Sequence, residues 1–281
     1  MFTRRVSFSA LALAFLLAST ALAAEFKGSW TMRPSEQAGK VYFGLAYHRD
    51  GGHSQHESDW DLGSFIGLDT AAAKHDVKFA IARDAGRFEC NGFLESGEGA
   101  GLFVFTPNPE FAKEMAALGF KGIDADRQFA MAVHDVTLEF ARLMKAEKLT
   151  HLDTDKLIAF KIFNVNPQFI REIRAAGLAA EDSDKLIAFR VHGVTPKMVS
   201  ELRNAGIEAD ENELIAFRVH GVSPEFVEQV EALGYRSPEP QQLISMKIFD
   251  ITPKYIADLK ARGLKDLTIE KMVQLKVNGI D

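Results

Sequence analysis

Three histidines and an aspartate lie close together near the amino terminus, in the segment AYHRDGGHSQHESDW. Imidazole and carboxylate groups are ligands that transition metals accept, so this segment is a candidate metal site. Its ligands would be His48, His53, His56 and Asp59. The Asp-Gly-Gly and other polar residues predict a loop, and a polar loop between strands needs no metal to explain it. The pair His56-Glu57 lacks a second histidine at zinc-protease spacing.

Three other histidines occupy one position of a repeat. His134, His192 and His220 stand where other copies of the repeat have phenylalanine or asparagine, at Phe163, Phe249 and Asn278. This mixture predicts a half-buried packing position rather than a catalytic one. The sequence also has no recognisable phosphate-binding glycine loop, nucleophile elbow or triad order. We therefore expect no catalytic residue and no cofactor.

A basic residue recurs at one position of the first helix in five of the six copies, three residues before the helix is expected to end. We call this set the basic column: Lys161, Arg190, Arg218, Lys247 and Lys276. Lined up in a solenoid, these cations could capture an anionic ligand or peptide. They could instead pair internally with acids that recur on the neighbouring helices, namely Glu172, Glu201 and Asp258. We favour internal ion pairing, and we keep binding of a partner by the basic column as the alternative.

Six similar segments follow one another through more than half of the chain. They begin at residues 128, 157, 186, 214, 243 and 272, so successive copies are 28 or 29 residues apart. Two of them share the nine residues LIAFRVHGV, at 186–194 and 214–222. A period of this length predicts a solenoid, in which each unit packs on its neighbours. The nearly continuous apolar character of LIAFRVHGV predicts a helix that neighbouring units cover on several sides.

Each copy carries signals for two short helices. The first helix is expected to end at residue types that accept a positive φ: Asp135, Asn164, Gly193, Gly221, Asp250 and Gly279. The second is expected to begin at N-caps two residues later: Thr137, Asn166, Thr195, Ser223 and Thr252. The first helices begin after Asp124, Asp153, Asp182, Asp210 and Thr268, and the fifth at Ser237-Pro238. With a half unit at each end, the sequence predicts twelve helices.

The part before the repeats has a different pattern. Four runs rich in aromatic and β-branched residues are separated by glycine-containing turns: KVYFGLAYHRD, VKFAIARD, GRFECNGFL and AGLFVFTP. They predict an antiparallel meander of four strands, with a possible fifth at GSWTMR. We therefore expect an α+β chain, with a small antiparallel sheet over residues 24–105 and an α-solenoid of about 29-residue helix-turn-helix units over 106–281.

The first 23 residues have a basic start, an apolar centre and a small-residue end, as in a secretory signal peptide. We expect cleavage before Ala24, release into the periplasm and no stable membrane insertion afterwards. An uncleaved anchor is the alternative. The chain has 33 Lys and Arg against 39 Asp and Glu, and losing Arg4 and Arg5 leaves a formal charge of about −8. Nucleic acid is a poor partner for an acidic chain. Cys90, the single cysteine, is expected to be a buried hydrophobe.

Two kinds of segment resemble a known family. RDAGRFECNGFLESGEGAGLFVFTPNPEF and the units containing LIAFRVHGVTP are similar to the extracytoplasmic carboxy-terminal region attached to some BlaR/MecR-type membrane metallopeptidases of Gram-negative bacteria. The resemblance covers nearly all of residues 26–281. It lacks that family's membrane helices and zinc-binding HExxH helix, so no catalytic residue is carried over. It implies a stand-alone periplasmic sensing or interaction module, with a role in envelope or β-lactam-type signalling.

Three functions are weighed. The leading hypothesis is a non-enzymatic interaction protein whose repeats present an extended surface to a protein or peptide partner. The alternative is a metal or small-ligand sensor that uses the His-rich segment at 48–59. The third is an enzyme with a site in the cleft between sheet and array, for which the sequence shows no set of catalytic residues.

Overall fold

We describe the protein from a computed structural model, which covers residues 26–49 and 52–280. The expected signal peptide and its cleavage before Ala24 lie outside the described residues. So do the side chains of His48 and His53, although the backbone at both positions is described.

The amino-terminal part is a six-stranded, fully antiparallel sheet with strand order β3-β2-β1-β6-β5-β4. The strands are β1 (Phe26–Pro34), β2 (Lys40–Arg49), β3 (Gly52–Asp61), β4 (His75–Arg83), β5 (Gly86–Glu95) and β6 (Glu98–Pro107). Trp30 at the centre of the sheet is fully buried and donates a hydrogen bond to the Asn91 carbonyl at 3.1 Å. A side chain at Gly101 would come within 2.7 Å of that indole nitrogen, so glycine is needed there.

The sheet has one strand more than the sequence predicted. The possible fifth strand at GSWTMR is confirmed as β1, but the expected His-rich loop is strand β3, which pairs along its whole length with β2. Strand β3 lies at an edge of the sheet and its sequence is mostly polar, with Trp60 as its buried apolar residue. Polar edge strands carry a weak hydrophobic pattern, which explains why the sequence indicated a loop.

Twelve helices follow, as predicted. The first helices of the units are α2 (Ala125–Val133), α4 (Thr154–Ile162), α6 (Ser183–His192), α8 (Glu211–His220), α10 (Pro240–Ile248) and α12 (Ile269–Val277). The second helices are α1 (Pro109–Ala117), α3 (Leu138–Ala146), α5 (Pro167–Ala175), α7 (Pro196–Asn204), α9 (Pro224–Ala232) and α11 (Pro253–Ala261). First helices contact first helices, from α4 to α12, and second helices contact second helices. The α+β architecture with a helical array is thereby confirmed.

The helix ends lie where local chemistry predicted them. Asp153 and Asp210 accept hydrogen bonds from backbone N–H groups in the first turns of α4 and α8, both at 2.8 Å. Asp135, Asn164 and Asp250 take φ values of 53°, 54° and 52°, and the glycines at the equivalent positions are also left-handed. One helix start differs. Helix α10 begins at Pro240, because Ser237 turns the chain at φ 44° and the Gln242 side chain accepts from the Glu239 N–H at 3.0 Å.

Basic side chains connect successive second helices. Arg174, Arg203 and Lys260 each donate to a backbone carbonyl at the end of the preceding second helix, at 3.0, 2.8 and 2.8 Å. Lys145 does the same to Leu118. Terminal helix carbonyls lack partners within their own helix, so each contact satisfies a polar group that stacking would otherwise leave unpaired.

Phe129 of α2 joins the sheet to the array. Its ring lies 5.2 Å from Phe105, 5.6 Å from Phe88 and 4.6 Å from Tyr47, measured between ring centroids. Phe129 is 3% exposed, and the buried apolar residues form one continuous cluster through sheet and helices. The sheet therefore packs on α2.

Two smaller expectations concern burial. Cys90 is buried as expected, and burial raises the pKa of its thiol to about 12, so the thiol stays protonated. Among the helices within residues 26–49 and 52–280, none has the length and apolar character needed to cross a membrane.

Candidate binding surface

One apolar residue per unit is exposed on the first helices. We call this set the aliphatic column: Ile162, Val191, Val219, Ile248 and Val277. Their exposed fractions lie between 51% and 65%, although each is β-branched and apolar. The sequence had indicated that neighbouring units cover these helices on several sides. Instead the units cover only the faces that carry the buried leucines and phenylalanines, such as Leu186 and Phe189, and leave one side open.

The same position in α2 is covered. There the equivalent residue is Val133, which is 8% exposed. Phe129, one turn earlier on the same helix face, packs on the rings of the sheet. The sheet thus occupies the first position of a row whose next five positions are open to solvent.

The basic column lies beside the aliphatic column, and four of its five cations are held over aromatic rings. Each ring belongs to the second helix that precedes the cation by 21 residues in sequence. The distances to the ring centroids are 5.3 Å for Lys161 over Phe140, 3.8 Å for Arg190 over Phe169, 3.9 Å for Lys247 over Phe226 and 4.4 Å for Lys276 over Tyr255. The remaining cation is Arg218, in the middle of the column. Met198 takes the place of the aromatic residue there, and Arg218 donates to the His192 carbonyl at 3.2 Å.

The favoured pairing of the basic column with the recurring acids is largely wrong. Glu201 and Asp258 form ion pairs with Lys197 and Lys254 on their own helices. Glu172 does act on a basic-column residue: burial lowers the pKa of Arg190, and Glu172 opposes that shift. The aromatic rings position Arg190 and Lys247, whereas Lys161 also pairs with Asp135 at 3.8 Å, so the basic column is partly neutralised.

This contact is testable by double-mutant cycles. We expect Arg190→Met and Phe169→Leu to be coupled by about 0.5–2 kcal/mol in the free energy of unfolding, the range from an exposed to a desolvated cation over a ring, because Phe169 is only 2% exposed. The matched cycle is Arg218→Met with Met198→Leu, where no ring lies beneath the cation, and its coupling should be close to zero. Equal coupling in the two cycles, measured by urea unfolding, would contradict a cation–π role.

A cleft of about 410 Å³ lies where the sheet meets the array. Strand β3 and helices α2 and α4 form its walls. Asp135 at the end of α2 forms ion pairs with Arg83 of β4 at 3.3 Å and with Lys161 at 3.8 Å. The charged groups here pair with one another across the junction, which fixes the sheet on the array.

His56 and His134 meet in this cleft. Their ring centroids are 4.8 Å apart in an edge-to-face arrangement, and His56 Nε2 lies 3.1 Å from Ser58 Oγ. Burial lowers the pKa of His134 to about 4, and the neighbouring His56 contributes to the shift. Burial also lowers the pKa of His56. Both rings are therefore neutral at pH 7.

The pair makes stability depend on pH. The pKa of His134 falls from 6.5 in the unfolded chain to about 4 in the folded one, so the unfolded chain binds more protons between these values. The free energy of unfolding should decrease as pH is lowered from about 6.5 to about 4. His134→Phe should flatten this decrease in urea unfolding. His192→Phe, at the same repeat position but exposed, should leave it unchanged. An unaltered slope in His134→Phe would contradict a buried neutral histidine.

The other histidines of this repeat position differ from the expectation. His134 is half-buried as predicted, but His192 and His220 are exposed and so extend the open side of the array. At this repeat position His134 and Phe249 are partly buried, whereas Phe163, His192 and His220 are exposed, so the predicted half-burial holds in only some units.

The predicted metal ligands are not assembled by the described part of the chain. His56 and Asp59 are three positions apart on β3, so their side chains turn to opposite faces of the sheet. Asp59 accepts a hydrogen bond from Gln37 at 3.1 Å, whereas His56 faces Ser58 and His134. His48 and His53 are paired backbone positions at the hairpin end, about 10 Å along the strand from His56. The proposed set therefore spans both faces of a hairpin.

A different group has metal-ligand residue types in the region that the structure describes. Ligand atoms of His151, Asp182 and Asp184 lie within 4.8 Å of one another. Each is already used: His151 contacts Asp182 at 3.3 Å, Asp182 caps α6, and Asp184 pairs with Lys156. We interpret this group as a contact between units and assign no metal to it.

The aliphatic column was missed by sequence reasoning, although a signal was present. In every aligned copy the residue after the basic one is isoleucine or valine. Sequence alone does not tell which side of an apolar helix its neighbours cover. These isoleucines and valines were therefore predicted to be core residues. Comparison with models of known protein families finds no match to this chain, and a search of curated proteins finds no match either.

Proposed function

We propose that this protein is a non-enzymatic interaction module that binds a segment of a protein partner along the aliphatic column, and that it does so in the periplasm after export. The observation that supports this most is the row of five exposed aliphatic side chains, one per unit. Single exposed apolar residues are common on protein surfaces, but a regular row of them is typical of an interaction site.

A second observation supports the same surface. In α2 this helix face already packs on the protein's own sheet through Phe129, and Val133 one turn later is buried. The open positions downstream carry the same kinds of side chain on the same face. They extend the helix face that packs on the sheet within the chain.

Charge indicates the chemistry of the partner. Arg190, Arg218 and Lys247 each directly precede a member of the aliphatic column in sequence. His192 and His220 add hydrogen-bond donors at the open face. In the central units the helices end in Gly193 and Gly221, where other units have Asp135 and Asp250. The partner segment is therefore expected to combine apolar with acidic side chains. We propose further that the module acts in envelope or β-lactam-type signalling, as the resemblance of its sequence to BlaR/MecR-type extracytoplasmic regions implies.

The test is peptide selection followed by a surface variant. Peptides are selected from a random display library on the mature chain, and their affinities are measured for the wild type and for Val191→Asp/Val219→Asp. Each lost aliphatic contact is worth about 1 kcal/mol, so binding should weaken by roughly 30-fold or more. The acidic substitutions also repel an acidic ligand.

The matched control is Leu102→Asp/Leu143→Asp, which changes two leucines that are 62% and 47% exposed but lie outside the column. This variant should bind the selected peptides as the wild type does. The proposal is overturned if selected peptides lose no affinity for the column variant, or lose as much for the control.

A further inference from the structure

We infer that Arg218, in the middle of the array, binds a carboxylate of the partner segment at the place equivalent to that where Asp135 binds Lys161 at the start of the array. This rests on the proposed function and adds one recognition site for an acidic side chain of the partner. The inference comes from equivalent positions in successive units, which carry the same cation with and without an acid beside it.

At the start of the array, an acid of the protein itself occupies this site. Asp135 is the left-handed residue that ends α2, and its carboxylate lies 3.8 Å from Lys161 Nζ on the next first helix, α4. The pair therefore joins the end of one first helix to the basic column on the next. Asp135 also pairs with Arg83 of the sheet at 3.3 Å, so this carboxylate is held from two sides.

The middle of the array keeps the cation and lacks the acid. Gly193 takes the place of Asp135 at the end of α6, with φ 73°, and Arg218 takes the place of Lys161 on α8. Arg218 Nε donates to the His192 carbonyl at 3.2 Å, which places the guanidinium over the end of α6. A Cβ at Gly193 would lie 3.1 Å from Arg218 Nη2. The cation therefore already lies beside the position from which a side chain like that of Asp135 would extend.

Arg218 has N–H donors that the protein leaves unused. A guanidinium has five such donors, and the contact with His192 uses one of them. In the part of the chain that the structure describes, Arg218 forms no ion pair, and it is exposed. Lys161, Arg190 and Lys247 are instead half-buried, Lys161 beside an acid and the other two close over rings. Arg218 is therefore well placed to bind a carboxylate from outside through its two Nη groups.

The site adjoins the aliphatic column. Val219 directly follows Arg218 on α8 and is 57% exposed. Val191, which is 51% exposed, directly precedes His192, whose carbonyl holds Arg218. One segment of a partner can therefore place apolar side chains on these valines and an acidic side chain at Arg218.

The first experiment supplies the carboxylate from within the protein. Gly193→Asp introduces the residue type of Asp135 at the end of α6, and aspartate tolerates a positive φ there. Gly193→Asn has nearly the same shape without the charge. The urea midpoint of Gly193→Asp relative to Gly193→Asn should be higher with Arg218 present than in an Arg218→Met background.

The matched control for this comparison is a Lys247→Met background, which removes the equivalent cation one unit further on. It should leave the difference between Gly193→Asp and Gly193→Asn as it is in the wild type. The same difference in all three backgrounds would mean that Arg218 holds no carboxylate at this place, and the inference would be overturned.

The second experiment uses the peptides selected on the mature chain. Each Asp or Glu of the tightest-binding peptide is changed in turn to Asn or Gln, and affinities are measured by fluorescence polarisation for the wild type and for Arg218→Met. One of these changes should weaken binding to the wild type roughly three- to five-fold, as expected for an exposed ion pair, and should have no effect on Arg218→Met. Gly193→Asp should also weaken binding of the unchanged peptide, because the introduced carboxylate occupies Arg218, whereas Gly193→Asn should not.

The outcomes separate this inference from the proposed function. If no acidic residue of the peptide is coupled to Arg218 while Val191→Asp/Val219→Asp still weakens binding, the carboxylate site is wrong and the proposed function stands. If an acidic residue is coupled to Arg218 but the Val191→Asp/Val219→Asp variant binds as the wild type does, the carboxylate site stands and the proposed aliphatic contact is wrong.

Discussion

Deletion of residues 186–213 should leave a shorter protein that still folds cooperatively. The deletion removes one unit of 28 residues and joins Lys185 to Leu214. Because LIAFRVHGV occurs at both 186–194 and 214–222, the junction restores the same helix with the same end at a glycine. Each unit contacts mainly its neighbours, so the flanking units should stack on one another as they do now.

The expected result is an unchanged helix content per residue by circular dichroism and a single urea transition. The free energy of unfolding should be lower than in the wild type, because one interface between units is lost. The control is deletion of residues 186–199, which is half a unit. It removes most of α6 and part of α7, so the neighbouring helices lose their packing partners. This deletion should abolish cooperative folding. Equal loss of cooperativity in both deletions would contradict a modular array.

Phe189→Ala should have one of the largest effects of any single substitution in the repeats. Phe189 is fully buried in the middle unit, and removing a buried phenylalanine side chain costs about 3–5 kcal/mol. A domain is stable by about 5–15 kcal/mol in total, so the variant should be close to unfolding. Short helices are marginal alone, and failure of one unit should therefore weaken its neighbours α4 and α8 as well. Urea unfolding and hydrogen exchange of these helices provide the measurement.

The control for Phe189→Ala is Phe163→Ala. Phe163 is 39% exposed at the end of α4, and its loss should cost about 1 kcal/mol or less. If the two substitutions lowered the free energy of unfolding by similar amounts, the buried position of Phe189 and the exposed position of Phe163 would be contradicted.

Local signals made the helices predictable. The N-caps at Asp153 and Asp210 and the left-handed residues at Asn164 and Gly193 act through contacts within a few positions, so the sequence alone placed nearly every helix end. Helix α10 is the exception. The sequence predicted its start at Ser237-Pro238, but Ser237 forms a turn and the helix begins at Pro240.

Features that depend on distant neighbours were not predictable. Strand β3 exists because β2 offers it a complete hydrogen-bonding edge, which its polar sequence does not reveal. The His56–His134 contact joins residues from a strand and a helix that the sequence assigned to separate domains. The exposure of Val191 and Val219 depends on which side of the helix the adjacent units occupy, and residue types alone do not specify it.

Methyl-group NMR of a bound peptide tests the central claim most directly. The aliphatic column consists of isoleucines and valines, so each of its members carries methyl groups that report on contact. On addition of a library-selected peptide, the methyl signals of Ile162, Val191, Val219 and Ile248 should shift. Those of buried residues such as Val199 and Val227 on the second helices should stay in place. Shifts confined to the second helices or to the cleft at His134, with the aliphatic column unaffected, would contradict the account.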